Sequence, residues 1–547
     1  MRRPHVALDT ETTGLEAGQD ELIEVAAIRF RRGEVLETWH SLVKPTEGIP
    51  EVITRLTGIT STDVEKSPFF YTILPDLARF IADDPVVGHS VGFDLEFLAA
   101  QGLPLSNPRV DTYELSTLLL PDLPDRSLAS VARALDIPYP EQHRALADAR
   151  VSMQIFVKFR EQLAALDLNL LEEIVRLAGK ADWPLGDLFR EILEEAGREG
   201  FGRRRPSGLP LAARLVTPEP RPDPLVETED QRPLDLERLA GLLAPGGLFS
   251  RAFPHYEHRP QQVDMLRAVG GAFVHGGQLI VEAGTGTGKS MAYLVPSAAL
   301  AIRQGRPVVI STNTINLQDQ LFYKDIPDLQ RVLAQAGAGE EELAELASFR
   351  AALLKGRNNY LCLRRWEVLR RSPNLSPEQV STLVKTLLWL PRTRSGDRVE
   401  LALVGKEHPV WNEISSHSAA CRGSECPYQQ QDRCFFFRAR RRAEAAHLVV
   451  VNHALLLSDV AVGGGVIAPY DNLIVDEGQH LEDEATRQLG FEAREADLLV
   501  GLPFGRLAGK VGGDGLVVLG GVGECLGGQP LPQLRGGASR GLDLVQD

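Results

Sequence analysis

Cysteine is scarce in this chain, with five in 547 residues. That count excludes a scaffold stapled by disulfides, as small secreted domains are. No uninterrupted apolar run approaches the roughly 18 residues that a membrane-crossing helix needs. The start, Met1-Arg2-Arg3-Pro4-His5, leads directly into a strand-like run without a signal-peptide apolar region. The expected location is therefore the cytoplasm, with no membrane partner. Net positive charge is lacking as well: 59 Lys and Arg face 74 Asp and Glu, leaving −15. Coating by nucleic acid through bulk electrostatics is excluded. A nucleic-acid enzyme is not, because metal-holding carboxylates inflate the negative count and local basic patches suffice for phosphate contact.

A hydrophobic fraction of 43% and a charged fraction of 24% are those of ordinary globular protein. The length exceeds one core and predicts roughly three or four domains. Residues 5–12, 22–30 and 34–43 read as strands, with Gly33 in the second turn. Pro85 to Gly88 reads as a short buried strand, Phe93 to Ala100 as a helix, and Arg144 to Leu163 as a long helix. This first α/β block spans 1–165. Residues 166–241 read as an amphipathic helical segment followed by a proline-rich flexible linker over 201–235. A second α/β block covers 242–504. Its strands, Gln278–Glu282, Pro307–Ser311, Leu448–Val451 and Leu473–Val475, are near-continuous apolar runs, as in a parallel sheet covered on both faces. A basic helical insert occupies about 340–445. Residues 505–547 are glycine-rich and predicted to be disordered.

The first chemical signal is Val6-Ala7-Leu8-Asp9-Thr10-Glu11, an apolar strand ending in two carboxylates. At i, i+2 spacing both face one side and can offer oxygen ligands to a hard divalent cation. Asp94 follows at a strand-to-helix junction, and His143 and Asp148 lie five apart near a helix start. Four concentrated carboxylates repel one another, and two Mg²⁺ or Mn²⁺ ions would relieve this while clamping the attacking and leaving oxygens of a phosphodiester. A neutral His143 could accept the proton of the attacking water. A lone Asp-x-Glu is usually a surface pattern; three elements in this order are not.

Asp9-Thr10-Glu11-Thr12-Thr13-Gly14, Ile23-Glu24-Val25-Ala26-Ala27 and Arg55-Leu56-Thr57-Gly58-Ile59 closely resemble the DEDDh 3′–5′ exonucleases, the DnaQ-like group that includes proofreading subunits. The resemblance implies a ribonuclease H-like fold, with Asp9, Glu11, Asp94 and Asp148 holding metal and His143 as general base. Ser90 stands where many members carry Asn.

The second signal is Ala283-Gly284-Thr285-Gly286-Thr287-Gly288-Lys289-Ser290, a P-loop. Its glycines let backbone N–H groups wrap phosphates at a helix N-terminus. Lys289 would reach the β/γ-phosphates of ATP, and Ser290 would ligate its Mg²⁺. Ile474-Val475-Asp476-Glu477 suits a Walker B strand, Asp476 serving the metal and Glu477 activating water. Cys362, Cys421, Cys426 and Cys434 lie between these motifs. Four thiolates suit a 4Fe–4S cluster or a structural zinc, and spacing does not separate the two. Cys525 lies apart, in the glycine-rich tail. Arginines around the set, interleaved with Tyr360, Trp366 and Phe435–Phe437, predict a single-strand channel combining charge and stacking.

From Tyr256 onward the chain resembles superfamily 2 helicases of the DinG/XPD-like group, through Tyr256-Glu257-His258-Arg259-Pro260-Gln261-Gln262, Ser311-Thr312-Asn313-Thr314-Ile315-Asn316-Leu317-Gln318 and Val451-Asn452-His453-Ala454-Leu455. By that resemblance Gln262 would read adenine, Thr312–Gln318 would contact single-stranded DNA, and Leu354 to Cys362 would open an iron–sulfur domain, favouring 4Fe–4S over zinc. Gln479 replaces the usual histidine of the DEAH-type box. The resemblance implies a second motor domain that this chain lacks, so a truncation is expected. The fold class expected is α/β: a ribonuclease H-like exonuclease domain followed by a P-loop RecA-like domain with a helical, cysteine-containing insert. The function expected is a metal-dependent 3′–5′ exonuclease on single-stranded DNA or frayed 3′ ends, fused to an ATP-binding, DinG-like helicase region. Replication or repair proteins are possible partners. The alternatives are a polymerase-associated proofreading subunit and a DNA-binding module with an inert nuclease set.

Overall fold

Three apolar runs pair as an antiparallel meander, β1 (His5–Thr12), β2 (Leu22–Arg31) and β3 (Glu34–Leu42), in the computed structural model of the chain. The structure describes residues 3–198, 210–230, 232–284, 288–336 and 341–489. Arg32 and Gly33, both at positive φ (53° and 87°), make the two-residue turn between β2 and β3. Positive φ at both positions matches the right-handed twist of the flanking strands. β4 (Val86–Gly88) and β5 (Arg109–Asp111) then add in parallel on the other side of β1, giving the order β3-β2-β1-β4-β5. This is the mixed sheet expected of a ribonuclease H-like domain. β5 was not foreseen, because three residues carry too little pattern to read.

Val6, Ala7 and Leu8 are all fully buried, so β1 is covered on both faces. One cover is α1 (Gly92–Ala100). α2 (Thr112–Leu119) follows β5, capped by Asp111, whose side chain accepts from the Tyr113 N–H. The main cover is α3 (Ala145–Ala164), which lays Ile155, Phe156, Phe159 and Leu163 on β1 and β2. That i, i+1, i+4, i+8 spacing is one helical stripe. Each such side chain contributes about 1.5–3 kcal/mol through removal from water. α4 (Leu168–Ala178) and α5 (Gly186–Arg198) follow.

The second sheet is wholly parallel, with β6 (Val308–Thr312), β7 (Ala351–Leu353), β8 (Leu448–Asn452) and β9 (Asn472–Val475) in the order β7-β8-β6-β9. α6 (Pro260–His275) and α7 (Lys289–Gln304) pack together beside it. The expected strand at Gln278–Glu282 does not form: its residues have no ladder partner, and Ile280 is 97% exposed. An apolar run gains strand stability only from a neighbour's hydrogen bonds and a covering face, and among the described residues nothing supplies them at this point. Conversely β7, read as part of the insert, belongs to the sheet. The insert therefore leaves after Leu353 and returns before Leu448.

Within the insert, α8 (Leu363–Arg371), α9 (Pro377–Trp389) and α10 (Phe435–Glu444) close on Trp366, Trp411, Leu383, Leu387 and Phe435. This apolar core runs without a break into that of the nuclease block through α4 and α9. Arg370 pairs with Glu173 at 2.6 Å, and Lys180 Nζ donates to the carbonyls of Arg370 and Ser372 at 2.8 and 2.5 Å. The stretch read as a flexible linker is held on this body at Val216 and Glu219, and on the second α/β block at Glu227 and Thr228. Arg433 donates to the Val216 carbonyl at 3.0 Å, and Arg442 pairs with Glu219. Residues 201–209, 231, 490–504 and the tail 505–547 lie outside the described residues. Among the described residues no helix is long and apolar enough to cross a membrane.

Candidate nuclease and nucleotide sites

Strand alternation places Asp9 and Glu11 on one face of β1, and the first turn of α3 brings Asp148 to them. One oxygen of each lies within 4.8 Å of the other two. Asp94, 4% exposed at the start of α1, accepts from the Thr10 hydroxyl at 2.7 Å. Gly88 makes this approach possible, since a Cβ there would meet Val91 and the Leu8 carbonyl at 2.8 and 2.9 Å. His143 is exposed at a left-handed φ of 59°, two residues before α3 begins, near enough for its charge to act on Asp148. All five predicted nuclease residues are thus brought together, four carboxylates clustered and the histidine at their rim.

The electrostatics are those of a cation site. Burial, then the charges of Asp94, Asp148 and Glu11, push Asp9 well above the usual carboxylate range. Burial and then Asp148 push Glu11 up to about 8. Burial pushes Asp94 up to about 7, against the Thr10 hydrogen bond, and also raises Asp148, against a hydrogen bond from Tyr139. Asp148 Oδ1 is buried without a hydrogen-bond partner. A buried oxygen left unsatisfied beside three destabilised carboxylates fits an unfilled ligand position for a divalent ion.

At the second site, Gly288 (φ 77°) leads into α7 and its carbonyl accepts from Gln262 Nε2 at 2.8 Å. Lys289 Nζ lies 3.0 Å from Glu477 Oε1, and Tyr293 donates to Asp476 Oδ2 at 3.1 Å. Ser290 hydrogen-bonds with Tyr293 and Asp325. The Lys289 and Gln479 hydrogen bonds hold Glu477 below its usual range, while burial raises Asp476. Lys289, Tyr293, Asp476, Glu477 and Gln479 line a cleft of about 830 Å³ that also reaches Gly284. Thr285, Gly286 and Thr287 lie outside the described residues. Gln318, expected to face DNA, is instead fully buried, its amide donating to the carbonyls of Leu354 and Val450 at 3.0 and 3.2 Å.

Cys362 and Cys434 sit at the N-caps of α8 and α10, and Cys426 caps a short turn of helix. Burial pushes the Cys434 thiol up to about 11, with the charges of Cys362, Cys426 and Cys421 adding to it, so all four interact. Of the five aromatic residues expected to line a strand channel beside them, only Phe437 is partly exposed. Tyr360, Trp366, Phe435 and Phe436 are core residues, at most 5% exposed. Several nearby arginines are committed internally, Arg364 to the Ala420 carbonyl, Arg365 to Ser415 and Asn412, and Arg441 to Asp432. The buried aromatic residues and these arginines pack and cap here.

Sequence reasoning gave Glu24, Tyr139 and Tyr293 no role, and it read Lys355 as a basic residue of the strand channel, whereas Lys355 is buried between Asp319 and Asp397. Glu24 had a usable signal, a charged residue inside an apolar run, which is rarely buried unless paired.

Comparison with known proteins agrees with this layout. Residues 6–156 match the family model described as Exonuclease, so the first block is an exonuclease domain. The chain is 29% identical over 504 residues to a Bacillus subtilis (strain 168) protein described as 3'-5' exonuclease DinG, a match covering 90% of this chain and 51% of that one. A Staphylococcus aureus (strain USA300) protein of the same description is 26% identical over 503 residues, covering 90% and 52%. The chain therefore joins an exonuclease domain to a DinG-like region, and spans about half the length of the curated relatives it matches. Among solved structures, Exonuclease X in complex with 5' overhanging duplex DNA matches 29% of this chain and 91% of its own, at 21% identity and a TM-score of 0.25.

Proposed function

We propose that this chain hydrolyses DNA from 3′ ends, single-stranded or frayed, using Asp9, Glu11, Asp94 and Asp148 to hold two Mg²⁺ or Mn²⁺ ions. The carrying observation is the triangle of Asp9, Glu11 and Asp148 oxygens, together with an Asp148 Oδ1 that is buried without a hydrogen-bond partner. Bound there, the ions would supply charge neutralisation for the phosphodiester and its leaving oxygen. His143, at the exposed rim, would accept the proton of the attacking water. Thr10 and Tyr139 hold Asp94 and Asp148 by hydrogen bonds and so preset the ligand geometry.

The second block binds ATP with Mg²⁺ in this reading, through Gly284, Gly286, Gly288, Lys289, Ser290 and Asp476, with Gln262 near the base and Glu477 directing water. The cysteine set holds a 4Fe–4S cluster. The resemblance of the Leu354 to Cys362 stretch to the entry of DinG/XPD-like iron–sulfur domains supports the cluster over zinc. A proofreading subunit would leave both sites without a task.

The test uses oligonucleotides labelled at either end, with Mn²⁺. Stepwise shortening from the 3′ end, lost in Asp9→Ala, supports the reading. Cleavage that survives both Asp9→Ala and Asp94→Ala rejects it.

A further inference from the structure

Glu24 is the third residue of β2 and the register partner of Glu11, with a side chain only 1% exposed. A buried carboxylate is costly unless every lone pair is used. Here four donors use them. Oε1 accepts from Arg144 Nη2 at 2.9 Å and from His40 Nε2 at 2.7 Å; Oε2 accepts from Arg144 Nε at 3.2 Å and from the Ala145 N–H at 3.0 Å. The hydrogen bonds outweigh burial and hold Glu24 down at about 2, so it stays ionised beside the raised acids.

The segment it grips is the one that carries the remaining chemistry. Arg144 directly follows His143, Ala145 opens α3, and the Arg144 carbonyl accepts from the Asp148 N–H at 3.0 Å. His143 itself occupies a left-handed φ that a side-chain-bearing residue rarely adopts without outside restraint. β2, hydrogen-bonded on both edges, is the rigid base for that restraint.

We infer that Glu24 is a positioning residue of the nuclease: through its fork with Arg144 it ties the His143 loop to the sheet and sets the imidazole over the acidic cluster. Glu24 does not bind the ions; both its carboxylate oxygens are taken by Arg144, His40 and the Ala145 N–H. The inference rests on the nuclease reading above and adds a residue to it.

Four variants test it in the whole chain: Glu24→Gln, Arg144→Ala, His143→Ala and the double variant Glu24→Gln/His143→Ala. Displacing a catalytic group by an ångström costs about 100-fold. Glu24→Gln and Arg144→Ala should each lower kcat by about 10–100-fold on a 3′-tailed oligonucleotide, with KM and the calorimetric Mn²⁺ affinity unchanged. In the His143→Ala background Glu24→Gln should cost nothing further, because two changes acting through one group do not multiply. A purely structural Glu24 would lower activity again in that background, and such a loss overturns the inference. So does a parental kcat in Arg144→Ala, whose side chain is 45% exposed and removable without opening the core should Glu24→Gln fail to fold. A parent chain without cleavage that depends on Mn²⁺ and Asp9 would reject the nuclease reading itself. An active parent with unaffected variants rejects only the role of Glu24.

Discussion

Lys289 Nζ and Glu477 Oε1, 188 positions apart in sequence, stand 3.0 Å apart across the nucleotide cleft. The lysine proposed to reach phosphate is here satisfied by the glutamate proposed to activate water. On that proposal nucleotide entry exchanges one partner for another, and the glutamate keeps its hydrogen bond from Gln479, at 2.6 Å.

A first prediction follows from that exchange. Lys289→Ala should weaken binding of a fluorescent ATP analogue by at least tenfold. Glu477→Gln should keep binding within a factor of about three, since a neutral partner releases the lysine more easily, yet lose hydrolysis. Equal loss of binding in both variants would remove the ion pair from the account.

The acidic cluster makes metal-free stability depend on pH. Glu11 titrates at about 8 and Asp94 at about 7 in the folded chain, against roughly 4 unfolded. Between about pH 4 and pH 8 the folded protein holds protons that the unfolded chain has released, so stability falls as pH rises through that window. With EDTA, the melting temperature of the nuclease block should be higher at pH 6 than at pH 8.5. Mn²⁺ should close that gap; Asp9→Asn, which removes Asp9's own raised carboxyl and ends activity, should only narrow it, because burial is the largest cause at Glu11 and Asp94. A melting temperature indifferent to Mn²⁺ at pH 8.5 would argue against the cation site.

Lys355 is 2% exposed between Asp319 and Asp397, at 2.8 and 2.6 Å. It joins the helix after β6 to the insert. Removing it strands a buried carboxylate, which costs about 3–5 kcal/mol. Urea unfolding of Lys355→Met should show that loss, and adding Asp397→Asn should return part of it. A Lys355→Met variant as stable as the parent would show the pair to be idle.

For the cysteines, anaerobically purified protein should carry a visible chromophore with bound iron and sulfide. Cys434→Ser should lose it. In metal-free protein the Cys434 thiol, pushed up to about 11 by burial, should resist iodoacetamide at pH 7.5. Bound zinc and no colour in the parent would replace the cluster by a zinc site.

Much of this was legible along the chain. β1, β2, β3 and α3 follow from apolar periodicity to within two residues, and Asp9 and Glu11 share a face because strand side chains alternate. The motifs that converge are local patterns with local causes. The insert misled for a physical reason: Trp366 and Phe435 look the same in sequence whether they stack on bases or on each other, and only their burial distinguishes the two.

The sequence by itself determined which chemistry is present, four carboxylates and a histidine, a lysine-tipped glycine loop with its acidic pair, and four thiols, because residue type and spacing carry that information. Tertiary structure alone decided how these are held. It put Glu24 under the His143 loop, Lys289 against Glu477, and one apolar core through nuclease and insert. Those relations join residues more than a hundred positions apart, and no local propensity encodes a contact at that range; it arises only when buried surfaces and paired charges are satisfied together.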